Sequence, residues 1–153
     1  MGRKDIPSHV ARHYQRLAAD ELLQDVLRHY RENVWPTIEH IVVGHANDAS
    51  SDKVVIEGSA LLPDLVKTLD FDSISAIWLT ASNGFLKQRI YSNSEYETKS
   101  SHERLLIDKF LERNNLFNEQ IIETVHRLGL ASLKVEDEST LDSLKNICLS
   151  SLL

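Results

Sequence analysis

One stretch, residues 53–63 (KVVIEGSALLP), constrains the fold of this chain more than any other. Residues 54–56 form a β-branched apolar run, which is typical of a buried parallel strand. The run ends at Glu57 and Gly58. An apolar strand that delivers a carboxylate to its C-terminal end, followed by glycine, is how many nucleotide-binding α/β proteins reach a metal-bound phosphate. The other interpretation is a core strand that ends in a solvated glutamate before a turn.

Two later apolar runs have the length of strands. Residues 74–80 (ISAIWLT) lead into small polar residues, among which Asn83 is suited to cap a following helix. Residues 131–135 form a third short strand. Apolar residues at three- and four-residue spacing predict helices in most of the rest of the chain. These helices are expected over much of 19–46 with an interruption at Pro36, over 64–69, 85–91, 101–112 and 117–128, and after a cap at Ser139-Thr140.

This order of elements predicts a three-layer α/β domain. Strands that are separated by helices pair in parallel through right-handed crossovers, and the helices cover both faces of the sheet. A chain of 153 residues is long enough to bury its own core, so one domain is expected over residues 1–153. Residues 1–50 form a helical segment of this domain, and residues 53–153 hold the sheet.

Composition excludes several classes of function. The net charge of −6 argues against a general nucleic-acid binder, because few phosphates would be neutralised. Cys148 is the single cysteine, so there is no internal disulfide and no thiolate cluster for zinc. No apolar run approaches the roughly 20 residues of a membrane span, and the polar N-terminus has no signal-peptide core. A cytoplasmic protein is therefore expected. His9 and His13 are spaced to share a helix face, but no third metal ligand accompanies them.

Six segments of the chain form a recognisable combination. They are VVIEGSALLP (54–63), AIWLTAS (76–82), the Arg-Ile pair at 89–90, IDKFLERNNLFNEQI (107–121), RLGL (127–130) and HVARHYQRLAADELLQDVLRHYRE (9–32). Together they resemble the P-loop small-molecule kinases, in which the last of these segments would lie on the substrate side. Within that group the chain is similar to bacterial proteins labelled AAA-family ATPases, or adenylate-kinase-like and 2-phosphoglycerate-kinase-like proteins. The resemblance covers the chain from about Pro7 to Leu153.

One departure from the kinase pattern dominates. Such kinases begin with a strand and a GxxxxGK[ST] loop that cradles the phosphates and holds magnesium. This chain has five glycines and no GK[ST], so it is expected to match the C-terminal two-thirds of a kinase fold. The missing strand lies between those that match 53–57 and 74–80. We therefore expect these two strands to pair directly, to accept a second copy or another chain, or to form a poorly stable sheet.

The resemblance also assigns a cofactor site. It implies that ATP and Mg²⁺ lie at the end of the first strand, against Glu57, Gly58 and Ser59. Glu57 would be the metal residue and would orient a magnesium-bound water. The resemblance also places Lys109 and Asn118 at the same cleft.

The resemblance further implies two catalytic arginines and an acceptor site. Arg89 falls where such kinases open their lid, and Arg113 falls where the second lid helix begins, so both would stabilise the charge of the transferring phosphoryl group. The alternative is that both are surface arginines on amphipathic helices. Arg12, Tyr14 and Arg16 fall beside the small-molecule acceptor.

Two functions are therefore open. The first is a truncated P-loop kinase or NTPase relative, related to ATP-dependent small-molecule phosphotransferases. Little activity is expected from it alone, because nothing here holds the β- and γ-phosphates. The second is a non-catalytic protein-interaction module that uses an exposed sheet edge or its amphipathic helices. A homo-oligomer or a complementing chain at the open sheet edge is compatible with both, and neither nucleic acid nor a membrane is expected as a partner.

Overall fold

The computed structural model describes residues 7–136 and 140–152, and these residues form a mostly helical fold. A short π-helical turn joins the second and third helices, and a 3₁₀ turn precedes the longest helix. None of the helices in this part of the chain is long and apolar enough to cross a lipid bilayer. The elements are α1 (Ser8–Arg16), α2 (Ala19–His29), the π turn (Tyr30–Val34), α3 (Trp35–Asn47), α4 (Pro63–Val66), β1 (Trp78–Ala81), α5 (Asn83–Asn93), the 3₁₀ turn (Tyr96–Thr98), α6 (Ser101–Leu128), β2 (Ser132–Val135) and α7 (Leu141–Leu152).

The core forms where α2 packs along α6. The apolar spacing of α2 buries Leu22, Leu23 and Leu27 on one face, and Leu23 and Leu27 pack in one cluster with Ile121 and Val125 of α6. Acidic residues open α2 and basic residues close it, which suits the helix dipole. Each of these buried aliphatic side chains contributes roughly 1.5–3 kcal/mol through removal from water. The helix pair is therefore the framework on which the other elements are placed.

The sheet has two parallel strands. β1 and β2 pair with Trp78 opposite Ser132 and Ala81 opposite Val135. Both strands fall inside the predicted runs 74–80 and 131–135, apart from Ala81, which extends the first run by one residue. The Trp78 side chain enters the core and its indole N–H donates to the carbonyl oxygen of Leu61 at 2.9 Å.

The predicted three-layer parallel sheet is wrong. Residues 53–57, expected as its first strand, form no regular secondary structure, and Val54 and Val55 are 50% and 90% exposed. A β-branched run becomes a strand only when a neighbouring strand completes its hydrogen bonds and a layer covers its face. Here the buried apolar residues come just after this run, at Ala60, Leu62 and Pro63. Direct pairing of 53–57 with 74–80, one of the three expected outcomes, therefore does not occur, and β1 pairs with β2.

The interruption predicted at residues 113–115 is also wrong, because α6 runs without a break from Ser101 to Leu128. Asparagine lowers helix propensity by less than about 0.7 kcal/mol, and packing of the flanking residues Leu111 and Ile121 outweighs that cost. Ser100 caps the helix directly before its first residue, Ser101, in a capping box with Glu103. The helix ends at Leu128, the end predicted for the helix over 117–128, and Gly129 follows with φ of 64°.

Two other predicted boundaries can be compared with the structure. Ser82 caps α5 one residue before the predicted Asn83, and its side-chain oxygen accepts from the backbone N–H of Phe85 at 3.2 Å. At the start of α7 the side-chain oxygen of Thr140 accepts from Ser143 N–H at 3.1 Å. The other predicted cap residue, Ser139, lies outside the described residues. Pro36 sits in the first turn of α3, directly after the π turn, as its lack of an N–H requires.

Candidate functional site

The candidate site is an apolar groove between α1, α5 and the first half of α6. It has a volume of about 450 Å³ and opens to solvent along one side. Tyr14, Asn93 and Ser94 are its polar lining residues. The apolar walls come from Val10 and Ala11 of α1, Ile90 of α5, and Leu106, Ile107 and Phe110 of α6.

Lys109 fixes α1 against α6 and so sets the width of this groove. Its ammonium group donates to the carbonyl oxygens of Tyr14 at 2.8 Å and of Leu17 at 2.7 Å. These carbonyls belong to the C-terminal end of α1, where helical carbonyls lack partners within the helix and a cation suits the dipole. The sequence pointed to Lys109 as a cleft residue, and the structure gives it the role of a helix cap.

Tyr14 and Arg113 meet at the rim of the groove. The Arg113 guanidinium donates to the Tyr14 hydroxyl oxygen at 2.7 Å and lies 4.8 Å from the centre of the Phe110 ring. Burial raises the pKa of the Tyr14 phenol, and the positive charge of Arg113 only partly opposes that effect. Tyr14 is therefore neutral at physiological pH, and the arginine is held by two rings and a hydroxyl rather than presented to a phosphate.

The structure does not gather the other predicted site residues around this pair. Glu57, Gly58 and Ser59 are exposed in the irregular segment before α4, where the Ser59 hydroxyl lies 2.7 Å from the Tyr30 hydroxyl. Arg89 is exposed on α5. Its guanidinium lies 5.9 Å from the centre of the Phe85 ring.

The remaining predicted substrate residues, Arg12 and Arg16, are exposed on α1. Arg12 donates to the carbonyl oxygen of Ser8 in its own helix at 3.4 Å. Among the predicted site residues, Tyr14 contacts Arg113 through its hydroxyl and Lys109 through its backbone carbonyl oxygen. The predicted catalytic and substrate groups thus meet at Tyr14 and Arg113, whereas the predicted cofactor residues 57–59 lie in the irregular segment before α4.

The described residues offer no metal centre. No group of three or more His, Cys, Asp and Glu side chains in ranges 7–136 and 140–152 is arranged to hold an ion. Of the two histidines that the sequence spacing pairs, His13 instead places its Nε2 3.5 Å from a carboxylate oxygen of Asp25 on α2.

A second polar cluster fixes the far end of α5. The rings of Tyr91 and Tyr96 stack with their centres 3.9 Å apart, and both hydroxyls donate to the carboxylate of Asp108, at 2.7 and 2.9 Å. Arg104 closes the cluster by donating to the carbonyl oxygens of Tyr96 and Lys99, each at 3.1 Å. This cluster was not predicted from the sequence, in which its two tyrosines stand five residues apart without forming a recognised motif.

This cluster is expected to change the alkaline titration of its two tyrosine side chains. Hydrogen bonding to Asp108 raises the pKa of Tyr91 and of Tyr96 above their ordinary value near 10. A raised pKa favours the neutral phenol, so the contribution of the cluster to stability is complete below pH 10 and is lost as the pH rises through the raised pKa values. In Asp108→Asn we expect phenolate absorbance to develop at lower pH than in the wild type. Tyr91→Phe and Tyr96→Phe assign the steps, and an unchanged profile in Asp108→Asn would contradict the geometry.

The chain was compared with protein-family models, curated proteins and solved structures, and none of them matches it. The assignment of function therefore depends on the geometry of the described residues.

The predicted nucleotide site can be tested by calorimetric titration with ATP and magnesium. We expect no heat of binding at millimolar ATP, because Glu57, Gly58 and Ser59 are exposed and lie in an irregular segment, with no loop of backbone N–H groups to cradle phosphates. Micromolar binding that weakens in Glu57→Ala would contradict this expectation.

Proposed function

We propose that this protein is a non-catalytic interaction module that binds an amphipathic helix of a partner protein in the groove between α1, α5 and α6. The observation that carries the proposal is the groove itself, an open apolar trough of about 450 Å³ walled by three helices. Grooves of this kind accept the apolar face of a helix, whose anchors recur at positions i, i+3 or i+4, and i+7.

The chemistry of the groove favours a peptide helix over catalysis. Small-molecule sites combine an apolar cavity with a few convergent polar groups that fix the ligand. Here the two cations nearest the groove are already engaged, Lys109 by the end of α1 and Arg113 by Tyr14 and Phe110. Tyr14 keeps its proton because burial raises its pKa, so it suits a hydrogen bond at the rim rather than proton transfer.

The ends of the groove are rigid, which lowers the cost of binding. Lys109 holds α1, and the cluster around Asp108 holds the end of α5, so both walls are fixed on α6. A preorganised surface loses less conformational freedom when its partner docks. The proposal therefore expects binding without folding of the module itself.

A substitution pair on α6 tests the proposal. Phe110 and Ile122 are 39% and 42% exposed on the same helix, and only Phe110 lines the groove. Helical peptides selected from a displayed library on the wild-type protein should carry apolar residues at helical spacing. Fluorescence anisotropy should show their affinity falling about tenfold or more in Phe110→Glu, since a buried apolar contact is worth about 1.5–3 kcal/mol. Ile122→Glu should bind as the wild type does.

Two results would overturn the proposal. One is a failure to select any peptide that binds the folded wild-type protein under conditions in which sedimentation shows it to be a monomer. The other is equal affinity of the selected peptides for Phe110→Glu and Ile122→Glu, with both variants melting as folded proteins, since binding would then lie outside the groove.

A further inference from the structure

We infer that the helix bound in this groove is α7 of a second copy of the chain, so that two copies exchange their C-terminal helices. The inference rests on the proposed function, because it names the occupant of the same groove. Its starting point is that, within the part of the chain that the structure describes, a groove and a helix both leave apolar side chains exposed to solvent.

The first observation is the state of α7. This helix of 12 residues has no buried residue, and Leu141, Ile147 and Leu149 are 81%, 45% and 44% exposed. A helix of this length is marginal in water unless an apolar face is docked. It makes no extensive packing contact with another element of the described chain. Leu141, Leu144 and Cys148 recur at spacings of three and four residues, which is the pattern that a groove of this kind accepts.

The second observation is that α7 leaves the groove of its own chain empty. All nine lining residues belong to α1, to α5 with Ser94 at its end, and to α6, and none belongs to α7. Because the helix is formed but not seated in its own groove, a second copy can supply the missing partner on each side.

The third observation is charge. α1 carries Arg12 and Arg16 and has no acidic residue. The approach to α7 is acidic in the sequence, since residues 137–138 read Asp-Glu and Asp142 lies in the first turn of the helix, whereas Glu136 already pairs with Lys134. Opposite charges at the rim guide encounter and orientation. Like charges on two copies of α1 would oppose each other, so this surface suits α7 rather than a second α1.

Two-fold symmetry allows both grooves of the dimer to be filled. If copy one places its α7 in the groove of copy two, the same two-fold operation places the second α7 in the first groove. The assembly is therefore closed, and both apolar surfaces of each chain are covered. In the sequence, five residues, 136–140, separate β2 from α7.

The single cysteine makes a direct test available. Cys148 lies on α7 and is the only thiol in the chain. Ser94→Cys places a second thiol in the groove, and Ser132→Cys places one on exposed β2 as a matched control. Under mild oxidation we expect a disulfide-linked dimer from Ser94→Cys well above the level given by the wild type. Ser132→Cys should stay at the wild-type level. A disulfide within one chain, migrating as a monomer, would show self-docking and overturn the inference, and so would the absence of any link specific to Ser94→Cys.

Sedimentation of mixed variants gives an independent readout. Phe110→Glu damages the groove and Leu144→Asp damages the helix, so each alone should lose the wild-type dimer. Their mixture should regain a dimer, because one intact groove then meets one intact helix. A dimer that persists in both single variants overturns the inference. If the wild type is monomeric at every concentration while selected peptides still bind its groove, the inference fails and the proposed function stands. If neither dimer nor peptide binding is found, both fail.

Discussion

Trp78→Ala is expected to lower the free energy of unfolding by about 3–5 kcal/mol, the range for removal of a large aromatic side chain from a core. Trp78 is 9% exposed and belongs to the core cluster with Leu23, Leu27 and Val125. For a domain of this size each kcal/mol corresponds to about 2–4 °C. Thermal melting followed by circular dichroism should therefore show a fall of roughly 6–20 °C in the midpoint.

Two further variants separate packing from hydrogen bonding at this position. Trp78→Phe keeps an aromatic ring but leaves the carbonyl oxygen of Leu61 without its 2.9 Å donor. We expect a cost of about 1–3 kcal/mol for that change. Leu79→Ala alters the neighbouring residue, which is 56% exposed on the other face of β1, and should stay within about 0.5 kcal/mol of the wild type. Equal effects of Trp78→Ala and Leu79→Ala would contradict the described core.

The same tryptophan shows why part of the fold could be predicted from the sequence. Residues 74–80 are a mostly apolar run and residues 131–135 alternate apolar with polar side chains, and strands form within or beside both. Helix ends that depend on local chemistry were also predictable, because the glycine at 129 ends α6 in the left-handed conformation whatever the tertiary context. Such features depend on a few neighbouring residues and so can be predicted from the sequence.

Residues 53–57 were predicted as a strand but do not form one, because a strand also depends on parts of the fold that the local sequence does not specify. Its pattern fits a buried strand as well as that of 74–80 does, but a strand needs a partner and a covering layer. β1 finds its partner in β2, about fifty residues later, and α6 lies against it. Residues 53–57 find neither, and all of them except the half-buried Ile56 are exposed. Which of two similar apolar runs becomes a strand is therefore decided by the whole fold.

The candidate site likewise combines residues that could be predicted from the sequence with an arrangement that depends on the whole fold. Tyr14 and Arg113 were each predicted as site residues, and they do meet, although 99 positions separate them. The resemblance to kinases proposed phosphate and acceptor contacts for them, whereas the structure pairs them with each other. The groove beside them arises from three helices whose relative placement no local pattern specifies. Apolar spacing predicted helices within α5 and α6 but none at α1, and it left open which faces would remain uncovered.

The second large loss of stability is expected from a change at Asn118, whose side chain binds the backbone of Ala81 at the edge of the sheet. The Asn118 amide nitrogen donates to the Ala81 carbonyl oxygen at 2.8 Å, and the Asn118 amide oxygen accepts from the Ala81 N–H at 3.1 Å. Ala81 is 8% exposed, so these groups have little access to water. In a parallel pair of strands, the N–H and C=O groups of one residue point to the same side of its strand. The N–H and C=O of Thr80 point to β2, and the N–H and C=O of Ala81 point away from it. The side chain of Asn118 thus takes the place of a third strand at this residue.

Asn118→Leu should therefore cost roughly 2–4 kcal/mol, because each buried polar group left unpaired costs about 1–3 kcal/mol. Asn114→Ala is the matched control one turn earlier on α6. Its amide donates to the Phe110 carbonyl oxygen within the same helix, and its loss should cost no more than about 0.5 kcal/mol. Amide hydrogen exchange distinguishes loss of this contact from general destabilisation. In Asn118→Leu the Ala81 amide should lose more protection than the Thr80 amide, which β2 still holds. Equal loss at both amides would mean that Asn118 does not close the edge.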